Sequence, residues 1–159
     1  MAKQEFGQLS HHWSESFDQV VGWLVSRKYD GRSVLWDGGY TRGMPAENVP
    51  WYYKGKTKQT TSTGLWTLGR DNKPKVQPAP DYFLDKLPKG IPVHGEIWYN
   101  DRLNLVGQII SFKQYSKPAW KLFKFIAFNS KPFGMWDDTC DLLPKKEVVV
   151  RLPICHPSK

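Results

Sequence analysis

The segment that decides the fold reads Trp23-Leu24-Val25-Ser26-Arg27-Lys28-Tyr29-Asp30-Gly31-Arg32-Ser33-Val34-Leu35-Trp36-Asp37-Gly38-Gly39. Trp23 to Ser26 is apolar and β-prone and reads as a strand running into the charged Lys28-Tyr29-Asp30-Gly31 stretch. Ser33 to Trp36 reads as a second strand. Asp37-Gly38-Gly39 then predicts a tight hairpin turn to Tyr40-Thr41-Arg42, because glycine enters positive φ without steric cost.

Outward from this segment the pattern stays strand-dominated. Upstream, Trp13, Phe17, Val20, Val21 and Leu24 recur every three or four residues, which predicts a short amphipathic helix. Residues 54–80 are polar, rich in Lys, Thr, Gly and Pro, and without sustained period, so they predict a long loop or a β-excursion. Phe83, Leu84 and Leu87 between Pro80 and Pro88 predict one or two helical turns. Val93 to Tyr99, Leu105 to Ile110, Leu122 to Phe128 and Val148 to Leu152 predict strands. The expectation is a single α+β domain of antiparallel sheets with short helices.

Composition bounds the function. The chain has 159 residues, 40% hydrophobic and 24% charged, which suits one folded domain and excludes a large multidomain enzyme. No apolar run approaches the roughly 20 residues of a membrane helix, and the first residues lack a secretory core. The expectation is therefore a soluble cytoplasmic protein with no membrane partner. Lys and Arg outnumber Asp and Glu by 23 to 15, a net charge of +8, which favours a polyanionic partner. Two cysteines make no disulfide framework, and His11-His12, Cys140 and Cys155-His156 lack the second pair that a zinc site needs. Gly55-Lys56-Thr57 fails as a phosphate loop, since Pro50 stands where the first glycine belongs.

Lys28 carries the chemistry. A free lysine amine, with a pKa of about 10.4, is neutral in about one molecule in 2,500 at pH 7. Neighbouring cations such as Arg27 and Arg32, or desolvation, lower that pKa and expose the lone pair. Asp30, two residues on, shares a face with Lys28 in an extended chain and is placed to orient it. The same four residues also suit an ordinary solvated turn. A second feature is the basic stretch Lys54, Lys56, Lys58, Arg70, Lys73 and Lys75, opposed only by Asp71. It suits either a solvated loop or contact with a nucleic-acid backbone, with Trp66 as a wedge or stacking group.

Four segments in order carry a family resemblance. Trp23 to Gly31, followed by Trp36-Asp37-Gly38, resembles the lysine motif of ATP-dependent DNA ligases, especially the compact phage and bacterial forms. Tyr40-Thr41-Arg42-Gly43 is similar to that family's Ser/Thr-Arg-x-Gly motif. His94-Gly95-Glu96-Ile97-Trp98 resembles its Asp-Gly-Glu-Leu-Trp strand, and Lys124-Phe125-Ile126-Ala127-Phe128-Asn129 the strand after it.

The resemblance implies a nucleotidyltransferase domain, ATP-grasp-like, whose sheets form a nucleotide cleft, working on nicked double-stranded DNA in replication or repair. It implies ATP and Mg²⁺ as cofactors. Lys28 and Asp30 would be catalytic. Ser26, Arg32, Arg42, Glu96 and Phe128 would bind nucleotide, with Glu96 on the ribose and Phe128 on adenine. Arg42, Lys54, Lys56, Lys58, Arg70 and Lys73 would contact DNA; the metal ligands are unassigned. The family's Glu-Gly strand, Lys-x-Lys strand and oligonucleotide-binding barrel have no counterpart after Phe128. Residues 1–159 are therefore expected to be the amino-terminal part of an adenylation domain, completed by a second ligase subunit. An RNA ligase, a capping-type nucleotidyltransferase, and a non-catalytic module binding nucleotide or nicked DNA are the alternatives.

Overall fold

The computed structural model describes residues 25–26, 29–52, 61–68, 73–111, 118–130, 149–151 and 154–155. Lys28, Lys54, Lys56, Lys58 and Arg70 lie outside these residues, as does the helix expected before Gly22.

A mixed sheet organises the described chain. Its strands are β2 (Gly31–Trp36), β3 (Leu65–Leu68), β4 (Pro74–Val76), β5 (Val93–Trp98), β6 (Lys124–Ser130) and β7 (Val149–Arg151), in the order β4-β3-β2-β5-β6-β7. Five strands are antiparallel to their neighbours, and β7 joins β6 in parallel. A two-stranded sheet pairs β1 (Val25–Ser26) with β8 (Ile154–Cys155). The helices are α1 (Asp81–Leu84) and α2 (Leu103–Ser111). This is the α+β architecture that the sequence predicts.

Alternation along β2 divides the sheet into two faces. Val34 and Trp36 point to one side and join Val93, Ile97, Phe125 and Ala127 in the main core. Phe83, Leu84 and Leu87 from the α1 region and Val106, Ile109 and Ile110 from α2 cover that face. Leu35 points the other way, against a smaller cluster of Ala46, Val49, Trp66 and Val76. Trp51 and Tyr52 pack edge-on against Trp66, with ring centroids 5.6 and 6.4 Å away.

Three expectations are corrected. Leu105 to Ile110 is helical, not a strand: Leu103, Val106 and Ile110 fall on one helical face, and Val106 and Ile109 enter the core. Tyr40-Thr41-Arg42 does not return along β2. Gly38, Gly39 and Gly43 all have positive φ, and the chain coils into turns in which Arg42 N–H reaches Gly39 O and Met44 N–H reaches Thr41 O. The antiparallel partners of β2 come instead from residues 65–66 and 93–98. Trp66 is 1% exposed and packs in the smaller cluster, so it is not a DNA wedge. Of the stretch expected to be a loop or a β-excursion, the described residues 61–68 and 73–80 contribute β3 and β4.

Candidate functional site

The face of β2 and β5 that bears Ser33 and Glu96 mixes polar and apolar side chains: Ser33, His94 and Glu96 share it with Leu35 and Trp98. Register sets Ser33 opposite Glu96 and Gly31 opposite Trp98, while Glu96 stands opposite Ile126 and Trp98 opposite Lys124 on β6. Glu96 and Trp98 are half-buried, and Ser33 is exposed. His94, Glu96 and Trp98 share one face of β5, opposite Val93 and Ile97, with a register shift in the β5–β6 pairing between His94 and Gly95.

The chain just after Lys28 is fastened at three successive residues, two to β5 and one to the turn that follows it. The Tyr29 ring meets Trp98 edge-on, with centroids 5.1 Å apart. Asp30 N–H donates to Asp101 Oδ1 at 3.0 Å, and Gly31 N–H donates to Glu96 Oε1 at 3.0 Å. Trp98 Nε1–H also donates to Asp101 Oδ1, at 2.6 Å. The glycine of the Lys-Tyr-Asp-Gly stretch has a steric reason, since a Cβ at Gly31 would stand 2.2 Å from Ile97 O. Glu96, read as a ribose ligand, thus also anchors backbone.

The remaining expected residues are distributed differently. Arg32 stands opposite Ile97 and shares the face of Val34, so β2 turns it away from the Glu96 face. The turn carrying Arg42 leaves the other end of β2, roughly 17 Å along the strand from Gly31. There the Arg42 guanidinium binds Asp85 Oδ1 at 2.8 Å and Asp81 Oδ1 at 3.1 Å. Partial burial works to lower its pKa, but the hydrogen bonds and charges of the two carboxylates outweigh this and raise it. A shallow cavity of about 250 Å³ lies beside it, lined by Trp36, Tyr40, Leu84 and Lys89 among others. Lys73 is exposed next to β4, at one end of the sheet order. Asp30 is exposed; Ser26 lies on β1 and Phe128 on β6. The structure therefore brings Asp30 and Glu96 together, and it does not bring Arg32, Arg42 or Lys73 to them.

His94 is a consequence of the fold that its sequence position does not announce. It is 8% exposed, and its Nε2 lies 3.1 Å from Ser33 Oγ. Burial lowers its pKa below the ordinary 6.5. Between the depressed folded value and 6.5 the unfolded chain binds a proton that the folded chain does not, so stability present above pH 6.5 declines as pH falls through that window. The slope is bounded by about 1.4 kcal/mol per pH unit for one group. Thermal melts at pH 7.5 and 5.5 should show a larger loss for wild type than for His94→Gln; parallel losses would remove His94 as the cause.

Sequence reasoning missed Asp101, and it read Asp37 only as a turn and motif residue. Asn100 and Asp101 have φ of 46° and 55°, a left-handed pair that joins β5 to α2. An Asn-Asp dipeptide directly after a strand is the signal that could have found them.

The class defined by this geometry is an α+β protein with a mostly antiparallel central sheet, in which β2 runs beside the carboxylate-bearing β5. The chain is similar to a solved Lig E DNA ligase structure, described as DNA binding with a minimal scaffold, with a TM-score of 0.61 and 20% identity. The match covers 96% of this chain and 52% of that one, so this chain spans about half the length of that structure. The fold is DNA-ligase-like. No protein-family model matches the chain, and no curated protein matches it. No described helix is long and apolar enough to cross a membrane.

Proposed function

We propose that the chain is the adenylation part of an ATP-dependent DNA ligase, with Lys28 as the nucleophile. The observation that carries the reading is the fastening of Tyr29, Asp30 and Gly31 to β5 and the turn after it, beside Glu96. Four motifs in ligase order on a DNA-ligase-like fold support it, as does the DNA binding described for the Lig E structure.

In this reading the neutral Lys28 amine attacks the α-phosphorus of ATP; an N–P bond forms and the bond to pyrophosphate breaks. A nicked DNA 5′-phosphate then takes the AMP, and the N–P bond breaks in turn. Such transfers depend mainly on in-line positioning and charge stabilisation. Glu96, half-buried, suits ribose hydroxyls as partners, and Asp30 stands two residues after the nucleophile in sequence. Mg²⁺ would neutralise phosphate charge. Among the described residues no cluster of three or more His, Cys, Asp or Glu could hold a metal. The basic residues Lys54, Lys56, Lys58, Arg70 and Lys73 are proposed to track DNA phosphates.

The proposal includes a second polypeptide bearing the Glu-Gly strand, the Lys-x-Lys strand and the barrel, docked along β7, the outermost described strand beyond β6. Exposed strand edges favour such pairing. Incubation with α-labelled ATP and Mg²⁺, with and without that chain, should place AMP on Lys28 through an acid-labile P–N bond seen by mass spectrometry. AMP on another lysine, or no label in either mixture, would overturn the reading.

A further inference from the structure

We infer that Asp101 is a positioning residue for the Lys28 nucleophile, an inference that rests on the reading above. The argument starts from backbone geometry. Asn100 and Asp101 both occupy the left-handed region, and Arg102 N–H closes the turn onto Tyr99 O at 2.9 Å. Two consecutive left-handed residues suit glycine best, and side chains there are held against a conformational penalty. Joining β5 to α2 requires only the turn; it does not require a carboxylate at its second position.

The Asp101 carboxylate has a separate use. Its Oδ1 accepts from Trp98 Nε1–H at 2.6 Å and from Asp30 N–H at 3.0 Å. The first bond orients the indole that Tyr29 meets edge-on, and the second holds the backbone two residues after Lys28. One oxygen thus restrains the two residues that follow Lys28, Asp30 directly and Tyr29 through Trp98. The rest of β2 does not depend on it: six register pairs with β5, and Val34 and Trp36 in the core, hold that strand independently. Losing the carboxylate should loosen the chain ahead of β2 and leave the sheet in place. A nucleophile displaced by about 1 Å from its in-line position can lose about a hundredfold in rate.

Asp101→Gly separates the two roles, because glycine accepts the left-handed backbone while removing the carboxylate. Asp101→Asn keeps a neutral acceptor at the same place. With the second chain present, AMP transfer to Lys28 should be followed at several ATP concentrations for wild type and both variants. The glycine variant should melt like wild type, keep its KM for ATP within about twofold, and transfer AMP at least about tenfold more slowly. The asparagine variant should transfer within about threefold of wild type.

A glycine variant that transfers at the wild-type rate overturns the inference, and so does one that fails to fold, since Asp101 would then serve the fold itself. An asparagine variant as slow as the glycine variant also overturns it. Wild type that takes no AMP on Lys28 defeats the proposed function first, and the inference with it; that outcome is visible before any variant is compared.

Discussion

Replacing Asp37 with alanine is expected to lower stability by about 3–5 kcal/mol, because it strips the acceptor from a buried polar hub. Asp37 is 6% exposed. Its Oδ1 accepts from Gly39 N–H at 2.9 Å, and its Oδ2 accepts from Trp66 Nε1–H at 3.1 Å and from the Thr41 hydroxyl. Thr41 Oγ1 lies 2.8 Å from Ser62 Oγ, which accepts from Gly64 N–H at 3.0 Å. The hub therefore ties the turn after β2 to the start of β3 and to the largest side chain of the smaller cluster. Alanine leaves three donors facing a void from which water is largely excluded, and each unpaired buried group costs about 1–3 kcal/mol. In a domain of this size the loss corresponds to a melting shift of about 10 °C. Asp37→Asn, which keeps one acceptor but presents an amide N–H₂ to a donor, should lose roughly half as much. Thermal and urea unfolding of both variants check this; a loss under about 1 kcal/mol for alanine would mean that water or a rearranged Thr41 replaces the carboxylate.

The hub illustrates what the sequence could and could not convey. Asp37-Gly38-Gly39 is legible as a turn, since two successive glycines with positive φ and an Asx side chain are local chemistry. Which strand lies beside β2 is not local. Period-two alternation marks a strand but carries no information about its partner, and the partners stand 29 and more residues away. The same limit hid Trp66, whose setting among basic and hydroxyl residues suggested a surface role while its strand buried it. At α2 the information was present and outweighed. Leu103, Val106, Ile109 and Ile110 carry helical spacing, but a run so rich in β-branched residues also reads as a buried strand. At the candidate site the strand that carries Glu96 and Trp98 was legible. Arg32 could be assigned to the opposite face only once the register of β2 against β5 was known. Asp101 escaped because its role depends on Asp30, 71 residues earlier.

Under the proposed function, Gly31→Ala is expected to reduce AMP transfer to Lys28 by about a hundredfold while lowering stability by only about 1–3 kcal/mol. The restriction at Gly31 is space, since its backbone does not lie in the left-handed region. A Cβ there would stand 2.2 Å from Ile97 O and 2.9 Å from Glu96 Cγ. The carbonyl belongs to β5, a strand flanked on both sides in the sheet, so it cannot retreat. The start of β2 must move instead, by roughly 1 Å to reach ordinary contact. That movement breaks the 3.0 Å bond from Gly31 N–H to Glu96 and drags Asp30 from Asp101, undoing two of the three fastenings behind Lys28. The core is affected less, because Val34 and Trp36 lie farther along the strand and remain packed under α1 and α2. The two readouts should therefore separate. A thermal melt should fall by several degrees, whereas the single-turnover rate of AMP transfer per folded molecule should collapse. Retention of both the wild-type melt and the wild-type rate would show that β2 and β5 do not approach as closely at Gly31 as the 2.2 Å figure requires. Loss of folding with transfer unchanged per folded molecule would assign Gly31 to the sheet alone and detach the fastened segment from the chemistry of Lys28.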